Sequence, residues 1–285
     1  MSTGRVKILG INAGPRLGNT AVLVKEALKA AGEIDFIETE FISMHDHEVK
    51  PCNVCNGARL CYGDIKGIFP EQDFYCYQHK DDFGNMFVDK LNECDGLILG
   101  SPTHEWDVSC ECKALMSRMR PYCEHVFTPF SSKLHNKPIG AASTSFNKFG
   151  GAESTVFSIL RWGMGVGMIP VGSETTEPDQ APTTGPFGGI GSVSDAAVWW
   201  DKEAIMTENS RVSPPTMSTQ ALKSARCTGR NVASVAILLK KGQEALHEKG
   251  ITLPHTSMPK KWPKSLLKKG SYMELLVNEG KVILV

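Results

Sequence analysis

The sequence predicts a doubly wound α/β fold built on a parallel sheet. Short β-branched runs alternate with stretches of helical period in the order β-α-β-(α)-β-α-β-α-β, an order that calls for helices on both faces of the sheet. A turn rich in Gly and Asn joins the first strand to the first helix. Hydrophobic residues make up 41% of the 285 positions, enough for a sizeable core.

Residues 5–11 (RVKILGI) read as the first strand, and residues 20–31 (TAVLVKEALKAA) as a helix that Gly32 closes. Residues 33–42 alternate apolar and polar side chains and read as a second strand. Residues 44–80 show no periodicity and hold four cysteines. A helix is expected over 82–94, a buried strand over 95–101 (DGLILGS) and a helix over 110–120. Residues 137–144 (KPIGAAST) read as a core strand, residues 149–151 as a Gly-rich loop, 153–163 as a helix and 168–172 (MIPVG) as a short last strand. Residues 173–216 form a Gly/Pro/Ser/Thr-rich excursion containing Trp199 and Trp200. A long helix is expected over 219–249, with Val232, Val235, Ala236 and Leu239 as its apolar positions. The tail, 251–285, is basic and ends in the strand-like KVILV. One domain over 1–250, with inserts at 44–80 and 173–216, followed by this tail, accounts for the pattern.

Lys and Arg number 31, as do Asp and Glu, so charge gives no case for nucleic acid or a membrane surface as partner. The N-terminus has no apolar segment of signal-peptide length, and no run is long enough to span a bilayer. A cytoplasmic location is expected. Nine cysteines cannot all pair within one chain, and in a reducing compartment they pack, ligate or react.

The loop after the first strand reads G-I-N-A-G-P-R-L-G-N-T-A, the chemistry of an anion cradle. Gly10, Gly14 and Gly18 permit close backbone approach. Asn19 and Thr20 sit where a helix begins, so unpaired N–H groups and the helix dipole face the loop. Asn12, Arg16, Asn19 and Thr20 add side-chain donors. The loop lacks the G-K-S/T ending of a Walker motif and the G-x-G-x-x-G spacing of a dinucleotide site. Taken alone, it is equally an ordinary strand–helix turn.

Four segments in order give the chain a family resemblance. N-A-G-P-R-L-G-N-T resembles the G-S-P-R-x-x-G-N-T loop of the NADPH-dependent FMN reductase and iron–sulfur flavoprotein families. D-D-F-x(10)-C-D-G-L-I-L-G-S-P-T-H, residues 81–104, resembles the stretch leading into their S-P-x-Y flavin loop. D-V-S-C-E-C-K-A-L-M-S-R resembles the following helix, with Ser109, Lys113 and Arg118 aligned. K-P-I-G-A-A-S-T-S-F-N-K-F-G-G-A-E-S-T resembles the third flavin loop. The resemblance covers about residues 5–172 and implies a flavodoxin-like, doubly wound parallel five-stranded sheet of order 2-1-3-4-5, with FMN beyond the strand C-terminal ends. It implies that Asn12, Pro15, Arg16, Gly18, Asn19 and Thr20 hold the phosphate. Pro102, Thr103, His104, Trp106 and Val108 would border the ring or ribityl chain, and Ser143, Thr144, Phe146, Gly150 and Gly151 would close the other side. The family often has an aromatic where this chain has His104. Histidine titrates near neutrality, which makes His104 a candidate proton donor; a plain polar loop residue is the alternative. Cys110 is a second catalytic candidate, a thiol at a helix N-terminus, with packing as its alternative.

The segment P-C-N-V-C-N-G-A-R-L-C, residues 51–61, departs from the four-cysteine motif of iron–sulfur flavoproteins: Cys52 and Cys55 fit, Ala58 stands at the third ligand position and Cys61 falls near the fourth. Three readings stay open. Cys52, Cys55, Cys61 and Cys76 bind a 4Fe-4S cluster with altered spacing; some of them bind zinc with His79; or they bind no metal. The excursion at 173–216 is expected to be an ordered cover of the flavin site, with a surface or dimer loop as the alternative; adjacent exposed indoles would leave an apolar patch, which argues against a fully solvated loop.

Three functional readings follow from the resemblance. The first is an FMN-dependent oxidoreductase in which NAD(P)H reduces FMN and a small acceptor (a quinone, nitro or other unsaturated compound) then takes the electrons in ping-pong order. The second is an iron–sulfur flavoprotein electron carrier fed by ferredoxin. The third is a flavin-binding module without turnover. A homodimer or homotetramer is expected from the family.

Overall fold

The computed structural model describes residues 4–53, 79, 81–123, 134–145, 150–173, 192–195 and 219–251, and near the C-terminus 261–262, 264, 274, 277–278 and 283–284. Cys55, Cys61, Cys76, Phe146 and the Trp199–Trp200 pair lie outside the described residues.

Five principal strands form a parallel sheet: β1 (Val6–Asn12), β2 (Ile37–Ser43), β3 (Gly96–His104), β5 (Pro138–Ser145) and β6 (Ile169–Pro170), in the order β2-β1-β3-β5-β6. Counting these principal strands alone, the order is the expected 2-1-3-4-5 of a flavodoxin-like fold. Helix α1 (Asn19–Ala31) and helix α5 (Thr219–Glu248) pack on one face. On the other face lie a π-helical turn (Phe83–Val88) running into α2 (Asp89–Glu93), then α3 (Cys110–Cys123) and α4 (Ala152–Gly165). The period of two in the strands divides the core. Leu9, Ile11, Leu97, Leu99 and Ile139 face α3 and α4, while Val6, Ile8 and Ile98 face α1 and α5.

Glycine and bulk alternate across the α1/α5 face. Ile8 pairs with Gly96 in the register, Gly10 with Ile98 and Ile98 with Gly140. A Cβ at Gly10 would lie 2.8 Å from Val24 of α1, and one at Gly140 would lie 2.6 Å from Thr228 of α5. A Cβ at Gly100 would overlap Val24 and approach Thr20 at 3.0 Å. The two helices therefore sink side chains into the glycine positions. Gly229 lets α5 touch the backbone of α1 at Ala27. Arg226 bonds Glu26 at 2.8 Å and Glu33 at 2.7 Å, and Arg230 bonds Glu33 at 2.8 Å, so the helices are also joined at their rims.

Four local features differ from the sequence expectation. Strand β2 begins only at Ile37, because exposed Phe36 turns the chain at φ 71°. The expected helix over 82–94 opens with π-helical winding, and Phe83 and Phe87 are both fully buried. A short β4 (Asp107–Val108) folds back on β3. Part of the excursion belongs to the sheet: β7 (Ser192–Asp195) pairs with Ala142–Ser145 of β5, whereas β6 pairs with Pro138–Ile139. Two separate segments thus share one edge of β5. In the tail, β8 (Lys261–Trp262) and β9 (Ile283–Leu284) pair in parallel as a separate ribbon.

Replacing a mid-helix glycine by alanine usually stabilises by about 1 kcal/mol. Gly229→Ala should do the reverse, since the methyl group would overlap the Ala27 carbonyl. A loss of about 1–3 kcal/mol is expected, read as a melting temperature lowered by several degrees; an unchanged or raised value would refute the close α1–α5 seating.

Candidate functional site

The described parts of three loops come together at the C-terminal edge of β1, β3 and β5. The first follows Asn12, which is fully buried at the end of β1. Its amide nitrogen donates to Ser43 Oγ at 2.8 Å and to the Arg16 carbonyl at 3.0 Å, so these donors shape the loop rather than point out of it. Its Oδ1 is buried without a partner, as is Asn19 Oδ1. His45 bonds the Pro15 carbonyl at 3.0 Å. A Cβ at Gly14 would meet Pro102 at 2.9 Å, so the first loop lies against the second. Helix α1 opens after Gly18 with no side-chain cap and no acidic residue in its first turn. Its leading N–H groups and positive dipole end are left for an anion. Arg16 is exposed on this loop.

The second loop ends β3. Pro102, Thr103 and His104 are partly buried. Glu105 (φ 47°) and Trp106 (φ 67°) form a two-residue reversal, since His104 pairs with Asp107. Such a turn favours Asn-Gly, and a bulky residue at positive φ is strained. Trp106 nevertheless stands 67% exposed there. Val108 is buried. Ser109 caps α3 by accepting from Cys112 N at 3.2 Å and donates to the Ala13 carbonyl at 2.6 Å. Cys110 is the exposed first residue of α3.

The third loop follows β5. Thr144 Oγ1 lies 2.6 Å from Thr20 Oγ1 on α1. Ser143, Thr103 and Thr155 form a hydroxyl ladder at 3.1 and 2.9 Å, which ends on the Gly151 carbonyl at 3.3 Å. Gly151 has φ 86°, and a Cβ there would lie 3.0 Å from the Trp106 backbone. Gly151 is therefore set against the second loop. The structure thus gathers all the expected cofactor residues it describes at one sheet edge. Ser43 and Ser101, whose hydroxyls also accept bonds here, carry no sequence signal beyond a short polar side chain at a strand end; Ser109 and Thr155 lie in the segments that carry the family resemblance. FMN fits this edge: the uncapped helix start suits a phosphate, and the two orphaned amide oxygens suit hydroxyl donors of a ribityl chain.

The cysteine segment is fastened at its base. Asp81 and Arg118 form a two-pronged ion pair at 2.7 and 3.1 Å, with side chains 1% and 3% exposed. Arg118 also donates to the Lys50 carbonyl at 3.0 Å and stacks over Phe83. Asp81 accepts from Lys50 N at 2.9 Å, and Glu48 and Asp82 exchange two further bonds. Cys52 N donates to Ser117 Oγ of α3 at 3.1 Å. Among the described residues no group of three or more His, Cys, Asp or Glu converges as a metal site. Four thiols in one segment are nonetheless the soft donor set that iron–sulfur clusters take. Burial pushes the Cys94 thiol up to about 11 and the Cys112 thiol up to about 12, so both stay protonated at neutral pH.

Residues 6–181 match the family model for NADPH-dependent FMN reductases. An iron–sulfur flavoprotein of Methanocaldococcus jannaschii is 34% identical over 238 residues, covering 83% of this chain and all of that protein. An iron–sulfur flavoprotein of Methanosarcina thermophila is 31% identical, over 60% of this chain and 79% of that one. Among solved structures, RosB with a bound formylriboflavin phosphate intermediate superposes with a TM-score of 0.55 at 14% identity, over 92% of this chain and 98% of that chain, a likeness of fold.

Two outcomes follow. Among the described cysteines, Cys110 should react fastest with a maleimide in the native protein, and Cys94 and Cys112 roughly a hundredfold or more slower because they are held as thiols; site-resolved mass spectrometry reads this. Burial works to raise the Asp81 carboxyl, but Arg118 and the Lys50 and Phe83 N–H groups outweigh it and hold it below the usual range. A folded value below the unfolded one gives stability that is complete above about pH 4 and lost as pH falls through the folded value. Asp81→Asn should therefore melt lower at pH 7, by roughly 3 kcal/mol of lost stability, and show a shallower decline toward pH 3 than the parent protein.

Proposed function

The chain belongs to the NADPH-dependent FMN reductase family, and from that premise we propose that it is an FMN-dependent oxidoreductase which takes electrons from NAD(P)H and passes them to a small quinone, nitro or other unsaturated acceptor in ping-pong order. The observation that carries the reading is the convergence of the three loops on the uncapped start of α1, with Asn12 and Asn19 presenting orphaned oxygens there. Bound FMN supplies the electron-transfer chemistry. The chain's residues bind, orient and shield. Backbone N–H groups of the first loop and of Asn19 and Thr20, with Pro15, Gly18 and exposed Arg16, hold the phosphate, while the Asn12 amide keeps the loop in shape. Pro102, Thr103, Trp106 and Val108 form one wall, and Ser143, Thr144, Gly150 and Gly151 the other, to which the family resemblance adds Phe146. His104, partly exposed at the end of β3, is the candidate group for moving a proton to the acceptor, and exposed Cys110 is the second. Strand β7 brings the 173–216 excursion back beside Ser143–Ser145, which favours its service as a cover. A cytoplasmic homodimer or homotetramer is the setting proposed.

A second reading is favoured by the names of the relatives and by the anchored base of the cysteine segment. In it, Cys52, Cys55, Cys61 and Cys76 hold a 4Fe-4S cluster, and the protein is an electron carrier that accepts from ferredoxin. Ala58 at the third ligand position requires altered spacing. Anaerobic purification followed by an absorption spectrum and FMN, iron and zinc analysis separates the readings. Stoichiometric FMN with bleaching by NAD(P)H and no iron supports the reductase. Added broad absorbance with about four irons per chain supports the carrier. A colourless protein that does not take up FMN overturns both.

The strained Trp106 supplies a sharper test. Trp106→Gly relieves the positive φ and should raise the melting temperature of the flavin-free protein, a gain of about 1 kcal/mol. It should also weaken FMN binding about tenfold or more through lost ring contact. Unchanged FMN affinity by fluorescence titration would remove Trp106 from the site.

A further inference from the structure

We propose that Arg118 and Asp81 are positioning residues whose buried pair clasps both ends of the cysteine segment onto α3, so that Cys52 is held in a fixed place relative to the flavin loop. The Arg118 guanidinium and the Asp81 carboxylate together take both backbone polar groups of Lys50, two residues before Cys52. Asp81 also receives Phe83 N, and Asp82 receives Glu48 N and returns its own N–H to the Glu48 carbonyl. The two strands of chain entering and leaving the segment are thereby sewn together across 48–50 and 81–82. Ser117, one residue before Arg118, then takes Cys52 N.

The clasp has an unusual composition for a mere packing element. A two-pronged, nearly unexposed ion pair is weak evidence for stability, because apolar replacements of similar volume are often neutral or better. What the pair does that apolar side chains cannot is satisfy the Lys50 N–H and C=O at once. Helix α3 begins directly after the second loop, and its Ser109 cap is bonded to the first loop through the Ala13 carbonyl. One helix therefore carries the flavin edge at its first turn and the base of the cysteine segment at Ser117 and Arg118. About 1.5 Å of rise per residue separates these by roughly two helical turns. That places Cys52 beside the same helix as the flavin loop; in the cluster reading, this shared helix would keep the separation of the two centres constant. The redox consequence rests on the cluster reading above; the positional claim does not.

The full-length protein is purified anaerobically as Asp81→Asn and as the paired Asp81→Leu/Arg118→Met variant, in which no charge is left unpaired. Hydrogen exchange, site-resolved maleimide labelling of Cys52 against Cys110, and FMN and iron per chain are measured. In the paired variant, amides of 48–52 and 81–83 should exchange about tenfold or more faster, while those of β1 and β3 stay unchanged. Cys52 labelling should rise severalfold against Cys110, FMN should stay stoichiometric and iron should fall by half or more. A folded paired variant with parental exchange at 48–52 and parental Cys52 labelling overturns the proposal, whatever Asp81→Asn does to folding. Loosened exchange and labelling in a protein whose parent holds no iron sustains the clasp and discards the cluster reading.

Discussion

Helix α1 sits so close to the sheet that the strand positions beneath its first three turns have no room for a side chain. Val24 lies over Gly10 and Gly100, Leu28 over Gly10, and Thr20 beside Gly100. This seating fixes where the open start of the helix points. Because Thr20 is drawn down over β3, its hydroxyl reaches Thr144 on the next strand, and the start of α1 is tied to the end of β5. Helix α5 holds α1 in that place from outside, through the glycine contact at Gly229 and the Arg226 and Arg230 bonds to Glu26 and Glu33. The sheet is covered by helices on both faces, and the N–H groups that the uncapped start of α1 leaves without a side-chain cap lie at its C-terminal rim.

The other face of the sheet organises the second chemical region. Helix α3 is capped by Ser109, tied by that residue to the first loop, and gripped further along by the cysteine segment. The cysteines divide by environment. Cys94 and Cys112 are in the core, where loss of hydration keeps the thiols protonated. Cys52 and Cys110 stand at the margins of α3, where a thiol can meet a ligand or a reagent.

Strain and edge-sharing mark the region above β3 and β5. Two non-glycine residues at positive φ turn the chain at Glu105 and Trp106, and Gly151 leaves space for that turn. The last strand position is filled in two parts, by β6 at the bottom and β7 at the top. Ser192–Asp195 thereby extends the edge of β5 at the rim.

The sequence by itself determined the period of two and the helical period, and so the number and order of the principal strands and helices. It also determined the Gly-rich loop after β1 and the density of cysteines between 52 and 76. These are local properties: turn chemistry and apolar spacing act over a few residues. Tertiary structure alone decided the partners. Asp81 and Arg118 are separated by 37 positions, Thr20 and Thr144 by 124, and neither pair has a local pattern that names the other. The pairing of β7 with β5 was hidden for the same reason, because Ser192–Asp195 carries no strong strand signal and gains its hydrogen bonds only from an edge already formed. The late start of β2 and the π-helical winding at Phe83–Val88 were hidden too, since burial of Phe83 and Phe87 against a completed sheet sets the winding there. A side chain's type follows from the chain, but whether it ends up as cap, clasp or ligand depends on which distant backbone groups folding leaves unsatisfied beside it.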